Sequence, residues 1–207
     1  MSSPPADLRG TLRADLRASL RDRLRAETRP AHDALDRSLD LIERPLTRPE
    51  YTRLLARFYG FHQVTEPALE SALDPSATVG RSKLPSLLHD LRACGVSEPE
   101  LGMLALIDKL PPMISLPAAL GALYVVEGST LGGRLIGRHV KANPDMPADS
   151  CRYFNVYGEQ TGERWRATCE TLEAASDPHT DDEAIETANA IFARLHGWLM
   201  TDFRGEA

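Results

Sequence analysis

One segment restricts the fold more than any other. Residues 116–142 read LPAALGALYVVEGSTLGGRLIGRHVKA, a long apolar stretch that follows the turn KLPPMIS and is closed by Asn143–Pro144. It is too long for a strand and can only be a buried helix. Yet Gly128, Gly132, Gly133 and Gly137 fall within EGSTLGGRLIGRH. Each glycine in a helix interior costs roughly 0.5–1 kcal/mol relative to alanine. A helix that accepts this cost repeatedly has a use for bare backbone.

The rest of the chain is helical in spacing as well. Leu8, Leu12, Leu16, Leu20 and Leu24 recur every four residues with Arg9, Arg13, Arg17, Arg21 and Arg25 beside them. Such a repeat drifts by about 40° per step, so the first part need not face one core; residues 1–16 are expected to be a flexible Leu/Arg-rich arm. From Leu24 to Ile42 the stripe tightens. Leu24, Thr28, His32, Leu35, Leu39 and Ile42 share an arc of about 80°. Pro45 and Pro49 end that helix, and Thr47 with Glu50 reads as a capping box for the next, over 50–73. A loop is expected over 74–83, short helices over 84–95 and 98–107, a loop entering a helix near 158–163, and a last helix capped by Thr180 with Glu183. No alternating strand pattern of useful length and no repeat of 20–50 residues is present. The expected class is all-α, one irregular multi-helical bundle over 17–207.

The 207 residues suffice for one domain with a sizeable core. A net charge of -6 gives no basic field for nucleic acid. The longest apolar runs fall short of the ~20 residues of a membrane span, and the N-terminus has no apolar signal region. Cys94, Cys151 and Cys169 are isolated. Reduced thiols and a cytoplasmic location follow as expectations.

Hydrolase, nucleotide-binding and zinc motifs are absent. Among six histidines, His32 stands out because it lies on the apolar stripe rather than the polar back. A core histidine held by hydrogen bonds fits that position, and so does a metal ligand. Arg25 lies seven residues earlier on nearly the same face, about 10 Å along the axis. An imidazole and a guanidinium so spaced suit a flat, anionic, iron-bearing cofactor. Gly121, Val125, Gly128, Gly132 and Ile136 form one strip of the long helix, with Ser129 at its edge. Close helix packing explains small residues on a strip. The pair Gly132–Gly133 adds a place to bend.

LRAETRPAHDALD together with ALGALYVVEGSTLGGRLIGRHV resembles the heme oxygenase family, and within it the bacterial branch that makes biliverdin for bacteriophytochromes. YFNVYGEQTGERWRATCETL resembles it too, and the similarity spans about Leu20 to the C-terminus. The resemblance implies heme b, as substrate and cofactor, held between a proximal helix and a kinked, glycine-rich distal helix. His32 would be the axial ligand of the iron. Gly128, Ser129, Gly132 and Gly133 would lie over the distal face, with Gly128, Ser129 and Gly132 acting in catalysis. Arg25 and Arg166 would face propionates. The reaction implied is opening of heme to biliverdin, CO and ferrous iron with O2 and an external electron donor, a reductase or ferredoxin. A bacteriophytochrome would receive the biliverdin.

Animal-type members carry an Asp in the glycine-rich segment, where Ser129 stands here; this puts the proton route in question. Glu66 is a candidate acceptor for the second ring nitrogen of His32. His62 reads as an interhelical hydrogen-bonding residue. Arg134, Arg138 and Lys141 trail the glycine-rich helix and suit an acidic electron donor. Two rivals stay open: a heme-transfer protein that uses His32 without turnover, and a thiaminase-like enzyme of similar architecture, which needs an activated cysteine.

Overall fold

The computed structural model describes residues 18–201. Helix α1 spans Leu20–Leu39, α2 Arg48–Ala72, α3 Pro75–Thr78, α4 Leu84–Ala93, α5 Glu98–Leu101, α6 Leu116–Ala142, α7 Thr161–Ala174 and α8 Asp181–Met200. Two 3-10 turns, Tyr153–Asn155 and Gly158–Gln160, lead into α7. No strand occurs among the described residues. The expected N-terminal arm, residues 1–16, lies outside them; the last leucines of the four-residue repeat, Leu20 and Leu24, are fully buried at the start of α1.

Local chemistry sets the ends. The Ser19 hydroxyl accepts from the Asp22 amide to start α1, and Asp40 turns left-handed, with φ 49°, to stop it. Thr47 and Glu50 form the expected capping box: the Thr47 amide donates to Glu50 Oε2 at 2.8 Å, and the Glu50 amide to Thr47 Oγ1 at 3.4 Å. The Arg44 guanidinium beside Glu50 is the main cause that holds its carboxyl at about 2. Asn143 closes α6 as its spacing indicates.

The structure corrects the elements at three points. Residues 98–107 are not one helix. Only Glu98–Leu101 is helical, because the Ile107 amide bonds across to the Gly60 carbonyl at 3.3 Å and draws the chain over α2. Gly60 permits this: a Cβ there would overlap the Ala105 carbonyl oxygen. Within the expected loop, Asp74 caps the single turn α3. Thr180 makes no side-chain cap, and Glu183 instead accepts from the Ser115 hydroxyl at 2.5 Å, tying the starts of α6 and α8 together.

Helix α6 is the axis of the bundle. It packs most heavily on α8, which packs on α1, and it also meets α7 and the Tyr153 turn. It stays helical through Gly132–Gly133. Just before the pair, the Ser129 and Thr130 hydroxyls donate back to the Val126 and Glu127 carbonyls at 2.8 and 2.7 Å. Such competition bends helices without ending them.

Candidate functional site

The glycines of α6 divide by what surrounds them. A Cβ on Gly121 would overlap the Ala184 carbonyl, so that glycine lets α8 cross α6 at backbone distance. A Cβ on Gly133 would stand 2.6 Å from the Phe154 carbonyl oxygen, and one on Gly137 would lie in contact with Cys151 Sγ at 3.4 Å and Phe154 Cβ at 3.5 Å. These three serve packing. Gly133 is therefore buried against the Phe154 turn, not on the open side where a distal-face role would place it. Gly128 and Gly132 differ. Gly132 has nothing within 4 Å of a would-be Cβ, and Gly128 meets only the Trp165 ring at 3.6 Å. They lie one turn apart and expose a strip of backbone. Ser129, beside them, is exposed, and its proton is committed to the Val126 carbonyl.

The α1 stripe is buried at Leu24, Thr28, Leu35 and Leu39 and open at His32, whose side chain is 50% exposed. The ring packs edge-on to Phe192 of α8, centroids 5.7 Å apart. Its Nδ1 faces Asp36 Oδ2 at 3.3 Å. Glu66 is not the partner, because it is committed to a buried cluster on α2 and the loop before α4. With Nδ1 turned to a carboxylate, Nε2 is the nitrogen available to a metal.

An aromatic pair joins α6 to α7. Tyr124, one turn before Gly128, stacks at a tilt on Trp165 at 5.8 Å. Burial pushes the Tyr124 phenol up, and the nearby Thr28 hydroxyl and Arg25 guanidinium counter that push. Thr28 is one turn before His32. Arg25 is exposed on that turn, and Arg166 is exposed on α7, directly after Trp165. Tyr124 is a member of this site that the spacing alone did not single out. Its signal was its place four residues before Gly128 on the same strip.

Behind the open strip lies a buried ionic cluster. Glu127 is 1% exposed. Its carboxylate accepts from Arg81 Nη1 at 2.7 Å, from Lys83 Nζ, and from the Tyr157 hydroxyl at 3.0 Å. Lys83 also donates to the Arg81 carbonyl at 2.7 Å, and Arg81 to Thr168 Oγ1 at 2.8 Å. Glu66 accepts from Ser82 Oγ at 2.5 Å and from the Lys83 amide at 2.8 Å. His62 Nδ1 lies 3.1 Å from Glu66, off the line of a hydrogen bond, while Nε2 contacts the Tyr153 hydroxyl at 3.2 Å. Burial pushes His62 and Lys83 down. Burial pushes Glu66 up, but its three partners outweigh it and hold the carboxyl below the usual range. Two cations thus face two carboxylates out of water. Glu127, the only acidic residue of α6, is the sequence signal for this cluster.

No thiol is activated. Burial pushes Cys94, Cys151 and Cys169 all up, and no group of three or more metal-binding side chains exists among the described residues. A groove of about 480 Å³ lies along Arg48, Thr52, Arg53, Cys94, Glu100 and Leu104.

His32 on α1, the bare backbone at Gly128 and Gly132 on α6 and the Tyr124–Trp165 pair are the candidate elements of one site. The family model described as heme oxygenase matches residues 18–201. The chain belongs to the heme oxygenase family. A heme oxygenase of Xanthomonas campestris is 34% identical over 128 residues, covering 60% of this chain and 71% of that protein. The fold is similar to the NO- and CO-bound heme oxygenase of Neisseria meningitidis, with a TM-score of 0.75, 24% identity and coverage of 92% and 95% of the two chains. It is also similar to that of Leptospira interrogans, at 0.66, 19%, 89% and 100%. The family degrades heme to biliverdin, CO and iron, and its members are oxidoreductases. No helix among the described residues is long and apolar enough to cross a membrane.

Proposed function

We propose that this chain binds heme b between α1 and the open strip of α6 and cleaves it to biliverdin, CO and ferrous iron. The observation that carries this reading is that, of the α6 glycines, Gly132 faces open space and Gly128 meets only the Trp165 ring. When bound, heme supplies both the iron that activates O2 and the macrocycle that is cut, with electrons from a reductase or ferredoxin.

The residues present fit that molecule. Nε2 of His32 would hold the iron, with Asp36 at Nδ1 orienting the ring. Gly128 and Gly132 would present backbone to the macrocycle, which a larger side chain would displace. Tyr124, Trp165 and Phe192 wall the slot and exclude water. Arg25 and Arg166 hold the propionates, Arg25 through a charge-assisted fork. Ser129 offers only acceptor lone pairs while its proton is on Val126, so it orders a distal water rather than donating to it. The exposed Arg134, Arg138 and Lys141 form the docking face for an acidic electron donor in the cytoplasm, and a bacteriophytochrome receives the product.

The test is to add hemin to the purified protein, then ascorbate or a reductase, and follow the spectrum. A Soret band that decays into biliverdin absorption is expected. A Soret band that persists under reductant and air defines a heme carrier and overturns the turnover claim.

A further inference from the structure

The open strip of α6 is fixed at both ends. At Gly133 the Phe154 carbonyl holds the backbone from behind. At the other end, in the residue before Gly128, the Glu127 side chain is buried in the ionic cluster. Between these points the helix is weak: it has two glycines without side-chain support, and two hydroxyls bonded back to their own turn. We propose that Glu127 is the positioning residue of the heme-facing backbone, and that its anchorage to Arg81, Lys83 and Tyr157 sets how closely Gly128–Gly132 approach the substrate and hence which meso carbon is attacked. This rests on the placement of heme against Gly128 and Gly132.

Three features make the anchor directional. Arg81 and Lys83 come from the loop between α3 and α4, and Tyr157 from the turn before α7, so the carboxylate is held from two sides. Lys83 is 2% exposed, so water does not weaken its pairing with Glu127. Lys83 also bonds to the Arg81 carbonyl and Tyr157 hydroxyl, so the partners hold one another in place. An amide at position 127 keeps the shape but loses the charge that both cations face.

The experiment compares wild type, Glu127→Gln and Tyr157→Phe, with Thr47→Ala as a control that loosens α2 away from the cluster. Three readouts are taken: amide hydrogen exchange over residues 128–132 in the heme-free protein, the pH midpoint of the ferric-heme spectrum with hemin bound, and the biliverdin isomer distribution. For Glu127→Gln, exchange is expected to rise about 10-fold or more, as for a locally released segment. The midpoint shifts, and a second isomer joins the wild-type product. Tyr157→Phe moves all three the same way by less, and Thr47→Ala moves none. Folded Glu127→Gln protein with wild-type values in all three readouts overturns the proposal. If that variant does not fold, unchanged values in Tyr157→Phe overturn it. Equal changes in Thr47→Ala show general loosening and overturn it as well. Wild-type protein that gives no Soret band with hemin instead removes the heme reading itself, on which this inference stands.

Discussion

The glycines of α6 fall into two groups with opposite uses. In one, Gly121, Gly133 and Gly137 are met from outside by Ala184, Phe154 and Cys151. There the missing side chain is replaced by a neighbour's backbone or sulfur, and the lost helix propensity is offset by close packing. In the other, Gly128 and Gly132 gain no such offset: apart from one edge of Trp165, nothing occupies the space. A helix keeps unsupported glycines where an incoming molecule needs the room. The difference separates fold from function within one element.

Substitutions in the packed and the open regions of α6 should therefore diverge. The largest effect is expected where the packing is ionic. Lys83→Met leaves Glu127 with only part of its partners, and chemical denaturation should show a loss of roughly 3–5 kcal/mol. A value near zero would mean that the cluster does not anchor α6. Gly121→Ala drives a Cβ into the Ala184 carbonyl and should cost about 3 kcal/mol by the same measurement. Away from α6, Glu50 gives a reference of known sign. Its carboxyl sits at about 2 in the fold against an ordinary 4.5, so its stabilisation is complete above 4.5 and is lost as pH falls toward 2. The gap in Tm between wild type and Glu50→Gln should close over that window. The smallest effect on stability is expected at Gly132→Ala. An open helical site with ordinary geometry should gain up to about 1 kcal/mol, while hemin affinity falls. A Gly132→Ala protein that loses stability as Gly121→Ala does would erase the distinction between packed and open glycines.

Much of the fold can be read from the chain. The Thr47/Glu50 box, the Asn143 stop and the apolar length of 116–142 each name a boundary that local hydrogen bonding then produces. Residues 98–107 could not be read this way, because the Gly60 carbonyl competes for the Ile107 amide from 47 positions away. Thr180 and Glu183 have the spacing of a cap, but Ser115 takes the glutamate. Stripe and strip single out His32, Gly128 and Gly132 as candidates for the site. Helical spacing did not separate Gly121 from Gly128, since they share a face; only the arrival of α8 at one and not the other tells them apart. The second nitrogen of His32 is served by Asp36, one turn along its own helix, and not by Glu66. Such partners depend on which side chains the bundle draws inside, which spacing does not encode.

The central claim is that His32 ligates heme iron opposite the bare strip of α6. It is tested most directly by the ferric absorption spectrum of the hemin complex in wild type and His32→Ala, with imidazole then added to the variant. Wild type should show a Soret band characteristic of histidine ligation, the variant should lose it, and imidazole should restore it. An unchanged Soret band in His32→Ala would contradict the account.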